Sequence, residues 1–156
     1  MKPIIDKNTE ILILGSYPWK ESLKRGEYYT NPKNVFWKIF NIDKKKVPYK
    51  ERIKFLLKNK IGLWDSCLTA NRKTSLDKDI EDCVANNFKF IFKNHNIKKI
   101  LFNWKKAKEE FNNLVKEQNI KLNPKLKLIL VSSTSNSNTW KTEKEKKKEW
   151  LKALKK

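Results

Sequence analysis

The sequence predicts an α/β protein, a three-layer α/β/α sandwich around a central four-stranded parallel sheet. Three observations point there. Short apolar runs end in Gly, Asn or Ser, amphipathic helical patterns fall between them, and no linker or internal repeat divides the 156 residues. Parallel strands joined by crossover helices produce this alternation, and the length fits one domain spanning residues 1–156.

Glu10-Ile11-Leu12-Ile13-Leu14 is a continuous apolar run closed by Gly15, the pattern of a strand buried on both faces. Asn31 then offers an N-cap and Pro32 a first helical position, with Phe36, Ile39 and Phe40 at helical spacing. Ile53, Leu56 and Leu57 mark a further helix, and Ile61 to Trp64 the second strand. A longer helix is expected to open at Asp77 or Lys78 and to carry Ile80, Val84, Phe88 and Ile91 on one stripe. Lys99 to Phe102 reads as the third strand, ending at Asn103, and Ala107, Phe111, Leu114 and Val115 place a helix against it. Leu126 to Val131 is the fourth strand, followed by a polar loop from Ser132 to Asn138. The last helix opens on a capping box, Thr142 to Glu145, and buries Trp150, Leu151 and Leu154, leaving Lys144 to Lys148 as a solvated face.

Ligands of such sheets bind outside the carboxyl ends of the strands. Four segments lie there: Gly15 to Trp19, Trp64 to Cys67, Asn103 to Trp104, and Ser132 to Asn138.

Composition bounds the function. The net charge is +20, but 34 of the 37 basic residues are Lys and Asn is also abundant, a pairing expected from A/T-rich codons. The bland reading is a solvated lysine coat, so charge alone is weak ground for nucleic acid. The 18 aromatics fall in periodic apolar segments, which argues against disorder. The longest apolar run, Ile11 to Leu14, is far short of a membrane span, and Asp6 and Glu10 interrupt any secretory core, so a cytoplasmic protein with no membrane partner is expected. Cys67 and Cys83 are then expected as reduced core thiols. With His95 they supply too few ligands for a zinc site, and His95 itself sits in a polar Asn-His-Asn turn, a poor place for a catalytic triad. G-x-G-x-x-G is absent from a chain with three glycines. No metal or organic cofactor is expected.

The longer run at the first strand end is more specific. Leu12-Ile13-Leu14-Gly15-Ser16-Tyr17-Pro18 is followed by Ser22-Leu23, Tyr28-Tyr29 and Asn31-Pro32-Lys33-Asn34-Val35-Phe36-Trp37. Leu63-Trp64-Asp65, Arg72 with Ser75-Leu76-Asp77, Phe102-Asn103 with Ala107, and Ser132-Ser133-Thr134-Ser135 before Asn138 come later in register. The whole resembles the uracil-DNA glycosylase superfamily, and most closely its hypoxanthine-DNA (deoxyinosine) glycosylase branch, whose α/β/α sandwich agrees with the elements above. Three positions depart from the pattern. Trp19 and Trp104 stand where glycine is usual and could narrow the pocket, and Asn136 replaces a proline.

The resemblance implies a monofunctional enzyme that flips a deaminated base out of DNA, hypoxanthine first and uracil second, and hydrolyses its N-glycosidic bond. Cleavage that runs ahead of water attack needs little acid-base machinery: an oxocarbenium-like sugar and a departing anionic base are stabilised while a water is held opposite. An amide can hold that water, and the resemblance makes Asn34 the catalytic residue. Tyr17 stands where the uracil-excising enzymes carry an aspartate. Base binding falls to Gly15, Ser16, Tyr17, Phe36, Asp65 and Asn103, with Phe36 either a stacking platform or a core residue. Asp65 could accept the ring N–H that hypoxanthine has and adenine lacks. Ser133, Thr134, Ser135, Asn138 and Trp140 are expected at the DNA backbone and in the gap left by the flipped base. The expected partner is DNA containing deaminated bases, bound by a monomer. The alternative is a nucleic-acid-binding module on the same fold that has lost catalysis.

Overall fold

The computed structural model describes residues 1–72 and 80–155. Four parallel strands form the central sheet: β1 (Ile11–Gly15), β2 (Ile61–Asp65), β5 (Lys99–Asn103) and β6 (Lys127–Val131), in the order β2-β1-β5-β6. Successive side chains of a strand point to opposite faces, and β1 shows the consequence. Ile11 and Ile13 pack with Phe36, Trp37, Leu56 and Trp150 on one side. Leu12 and Leu14 pack with Phe88, Ile91, Phe111 and Leu114 on the other. Helices therefore cover both faces: α2 (Phe36–Ile39), α3 (Tyr49–Lys58) and α6 (Glu143–Leu154) one, α4 (Phe88–Asn94) and α5 (Lys105–Glu117) the other. This is the α/β/α sandwich expected from the sequence, and its parallel register sets Gly15 beside Asp65 and Asn103 beside Val131 at the carboxyl edge.

Three local expectations are corrected. The helix stripe from Ile80 to Ile91 is instead strand β4 (Ile80–Ala85) followed by α4, while the expected start at Asp77 or Lys78 lies outside the described residues. The physical break is the Asn86-Asn87 pair: Asn86 is buried and donates to the Asp65 carbonyl at 2.7 Å, and the Asn87 side chain caps α4 by accepting from Phe90 N. β4 pairs antiparallel with β3 (Cys67–Arg72), leaving Val84 half exposed where a helix stripe would have buried it. Second, Asn31 and Pro32 do not open a helix. Residues 31–34 form a turn, Asn34 N donating to Asn31 O at 3.0 Å, before the short helix α2. Third, Cys67 and Cys83 are joined in a disulfide, because the β3–β4 pairing brings their Cα atoms to 5.4 Å. Cys67, Cys83 and Glu110 form the one cluster of possible metal ligands among the described residues, and its two sulfurs are bonded to each other.

The capping box at Thr142 and Glu145 forms as the sequence indicates. Among the described residues, no helix is long and apolar enough to cross a membrane.

Candidate active site

A cavity of about 300 Å³ opens at the carboxyl edge of the sheet. Each wall is an end the chain pattern had marked: Gly15 to Trp19 after β1, Asp65 after β2, Asn103 and Trp104 after β5, and the loop from Ser133 to Asn138 after β6, with Trp140 beyond. The segment from Tyr28 to Asn34 closes the remaining side. Asp65 is the only charged residue among those described as lining it; the remainder are amides, hydroxyls, aromatic rings, a proline and a glycine.

Asp65 is almost fully buried and lies against Gly15 so closely that a Cβ at Gly15 would meet its Oδ1 at 2.7 Å. Glycine is required here for space. The Tyr28 hydroxyl lies beside the Asp65 carboxylate and has one proton to direct to it or to Lys2 O, 3.2 Å away. Burial, reinforced by the Asp65 charge, pushes the Tyr28 phenol far above its ordinary range, so a neutral phenol sits beside a carboxylate.

Asn34 stands just before α2 and faces the cavity. Its Oδ1 accepts from Phe36 N at 2.9 Å, which fixes the amide and leaves that oxygen a second lone pair. Asn103 is a cross-brace. Its Oδ1 accepts from Thr134 N at 2.9 Å, and its Nδ2 donates to Thr134 Oγ1 at 3.1 Å and to the Tyr29 hydroxyl at 3.3 Å. Thr134 O in turn accepts from Val35 N at 3.0 Å, so the two loops flanking the cavity are tied together.

Of the residues expected in the site, Gly15, Ser16, Tyr17, Asn34, Asp65, Asn103, Ser133, Ser135, Asn138 and Trp140 line the one cavity. Phe36 and Thr134 do not; both are fully buried. Phe36 packs edge-on against Trp37, Phe40 and Trp150, and its face is covered by Tyr29, stacked at 3.8 Å between centroids and 11° between planes. Tyr29, held with φ of 57°, is the ring of this stack that reaches the cavity. It belongs to the Tyr28-Tyr29 step of the sequence motif, whose spacing assigns it no role. His95 ends α4, away from the cavity, with Nδ1 against Ile91 O.

Lys146 went unrecognised because it sits in a lysine run. It is buried rather than solvated, and its Nζ donates to Ser135 O at 3.1 Å and Asn138 O at 2.7 Å, beneath the cavity loop. Its spacing of four from buried Trp150 was the available signal. Trp150 Nε1 donates to Ser132 O and Glu149 Oε1 accepts from Ser132 N, so α6 holds the loop at three residues. On the facing side, Lys44 Nζ donates to the carbonyls of Thr30 and Asn31. Burial lowers the pKa of both lysines.

Comparisons with known proteins agree on one family. A family model described as the uracil DNA glycosylase superfamily matches residues 3–155. A protein of Methanosarcina barkeri named hypoxanthine DNA glycosylase is 36% identical over 159 residues, covering 98% of this chain and 95% of the relative. One of the same name from Methanosarcina acetivorans is 38% identical over 111 residues, covering 68% of this chain and 70% of the relative. A solution NMR structure from Methanosarcina acetivorans, provisionally described as a uracil DNA glycosylase, superposes with a TM-score of 0.78 at 31% identity, covering 98% of this chain and 93% of that one.

Proposed function

The chain belongs to the uracil DNA glycosylase superfamily, and from that membership we propose that it releases hypoxanthine from DNA by hydrolysing the N-glycosidic bond, with uracil as the second substrate. The observation that carries the reading is the convergence of Asn34 and Asp65 on one cavity at the sheet's carboxyl edge.

The geometry supports the following roles. Phe36 N–H holds the Asn34 amide, whose remaining lone pair orients the attacking water as positive charge develops on the sugar. Asp65, beside the neutral Tyr28 phenol, accepts the N1–H of hypoxanthine. Adenine has no hydrogen there, and the unmet acceptor costs about 1–3 kcal/mol. The extruded base stacks on Tyr29, with Phe36 backing that ring from the core. Asn103 keeps the Tyr29 hydroxyl and the Thr134 backbone in place. Ser133, Ser135 and Asn138 meet the backbone of the strand, and Trp140, 89% exposed, fills the gap left by the base.

The test is base release from oligonucleotides carrying hypoxanthine, uracil, xanthine or only undamaged bases. Wild-type protein should release hypoxanthine fastest, and Asn34→Ala should keep its fold and its DNA binding while losing release. Equal release by Asn34→Ala, or binding by the wild type with no release from any substrate, overturns the reading.

A further inference from the structure

Two tryptophans that line the cavity break local rules of chain conformation, and both do so just after the ends of adjacent central strands. Trp19 and Trp104 occupy the N-cap positions of α1 (Lys20–Arg25) and α5, and neither side chain caps its helix. Ser, Thr, Asp or Asn normally satisfies the free N–H groups at that position. Trp104 also has φ of 93° and ψ of 158°, a left-handed backbone that suits glycine and penalises a large side chain. The chain thus forgoes two caps and accepts backbone strain to hold two indoles on the wall of one cavity. Conflict of this kind concentrates where function requires it.

We propose that Trp19 and Trp104 form a stacking platform for unpaired nucleotides adjacent to the one in the pocket, which makes single-stranded DNA a favoured substrate of this site. The inference rests on the DNA glycosylase reading and deepens it. Indole faces bind bases of any sequence, but a base is free to lie on them only when it has left its own stack and pair. Neighbouring charge suits such a strand: Lys105 Nζ lies over the Trp104 ring at 6.0 Å from its centre, and a base stacking on that face would displace the ammonium toward its own phosphate. Trp140 has a different geometry. It is 89% exposed on the opposing loop, as a residue that fills a gap in a duplex should be.

The platform and the wedge therefore separate by substrate. The experiment measures the affinity of wild-type protein and of Trp104→Gly, Trp19→Ala and Trp140→Ala for one fluorescently labelled, undamaged sequence, as a single strand and as a duplex. Trp104→Gly removes the strain as well as the ring, so its Tm should equal or exceed that of the wild type, which excludes unfolding as a cause of weaker binding. Loss of one stacked base predicts roughly 5- to 150-fold weaker single-strand binding for Trp104→Gly and for Trp19→Ala, with duplex binding within about twofold of wild type. Trp140→Ala, which lies outside the platform, should keep single-strand binding within about twofold of wild type. A smaller single-strand loss in both platform variants, or an equal loss on both substrates, overturns the proposal. Binding to undamaged strands needs no base release, so the result stands apart from the test of hypoxanthine excision.

Discussion

Gly15→Ala probes the position of Asp65 without touching its carboxylate. A Cβ at Gly15 lies 2.7 Å from Asp65 Oδ1, and ordinary contact begins at 3.4 Å, so the oxygen must retreat by about 0.7 Å. The backbone has little freedom to yield instead, because β1 is paired on both sides, with β2 and with β5. The carboxylate is nearly buried and in contact with Tyr28, so its displacement disturbs the acceptor offered to the base. A misplacement of about 1 Å in an enzyme site can cost on the order of 100-fold in rate. For 0.7 Å we expect a loss of about 10- to 100-fold in kcat/KM for hypoxanthine, or roughly 1.4–2.7 kcal/mol of transition-state stabilisation. Single-turnover base release reads the rate, and thermal unfolding verifies that the variant is folded. A folded Gly15→Ala protein that releases hypoxanthine at the wild-type rate would show that the position of Asp65 does not govern recognition.

Lys146→Met should lower stability by about 1–3 kcal/mol, since two carbonyls lose their donor. Lys144→Met, on the exposed part of the same run, should stay within about 0.5 kcal/mol of wild type by denaturant unfolding. Burial opposes the charge on Glu149, yet the Lys141 ammonium and the Ser132 N–H hold its carboxyl below the ordinary 4.5. Its folded pKa is depressed, so its stabilisation is present above the unfolded pKa and is lost as pH falls through the folded one; Glu149→Gln should flatten that acid limb of Tm against pH. Cys83→Ser opens the Cys67–Cys83 link, which spans 16 positions, and should cost about 3 kcal/mol by the loop-entropy relation, measured by chemical unfolding without reductant.

Strands β1, β2 and β5 were legible because both their faces are buried, which leaves unbroken apolar runs, and the partly exposed edge strand β6 was legible from the run Leu128 to Val131 closed by Ser132. The β3–β4 pair was not, since Ile80, Val84, Phe88 and Ile91 fit helical spacing and only the Asn86-Asn87 break, with the distant pairing of Cys67 and Cys83, decides otherwise. Most of the cavity lining was legible from the ordered motif. Phe36 reads equally well as core or platform from spacing, and what distinguishes them is the ring of Tyr29 lying on it, a contact across a turn that periodicity does not encode. Lys146 was hidden for another reason. Four lysines within the five charged residues from Lys144 to Lys148 carry little contrast, and the helix's rotation relative to the loop selects the one that is buried.

The same partition changes what the charge of +20 means. Lys44, Lys99 and Lys146 donate to backbone carbonyls, Lys60 and Lys98 meet on Glu10, and Lys38, Lys106 and Lys141 pair with Glu143, Glu110 and Glu149. Pairs of this kind on the surface contribute little to stability, but they reduce the number of cations free to neutralise phosphate. The cavity itself holds one carboxylate and no lysine or arginine among its described lining residues. On the proposed reading, attraction to the polyanion and selection of the base therefore reside in different groups. The first is long-range, nonspecific and weakened by salt. On the roles proposed above, the second depends on the hydrogen-bonding edge offered by Asp65, which is nearly buried, and on the rings around it. Under those roles, neutralising exposed lysines of the coat should weaken attachment to DNA while the choice of base stays with a few neutral side chains and one buried acid.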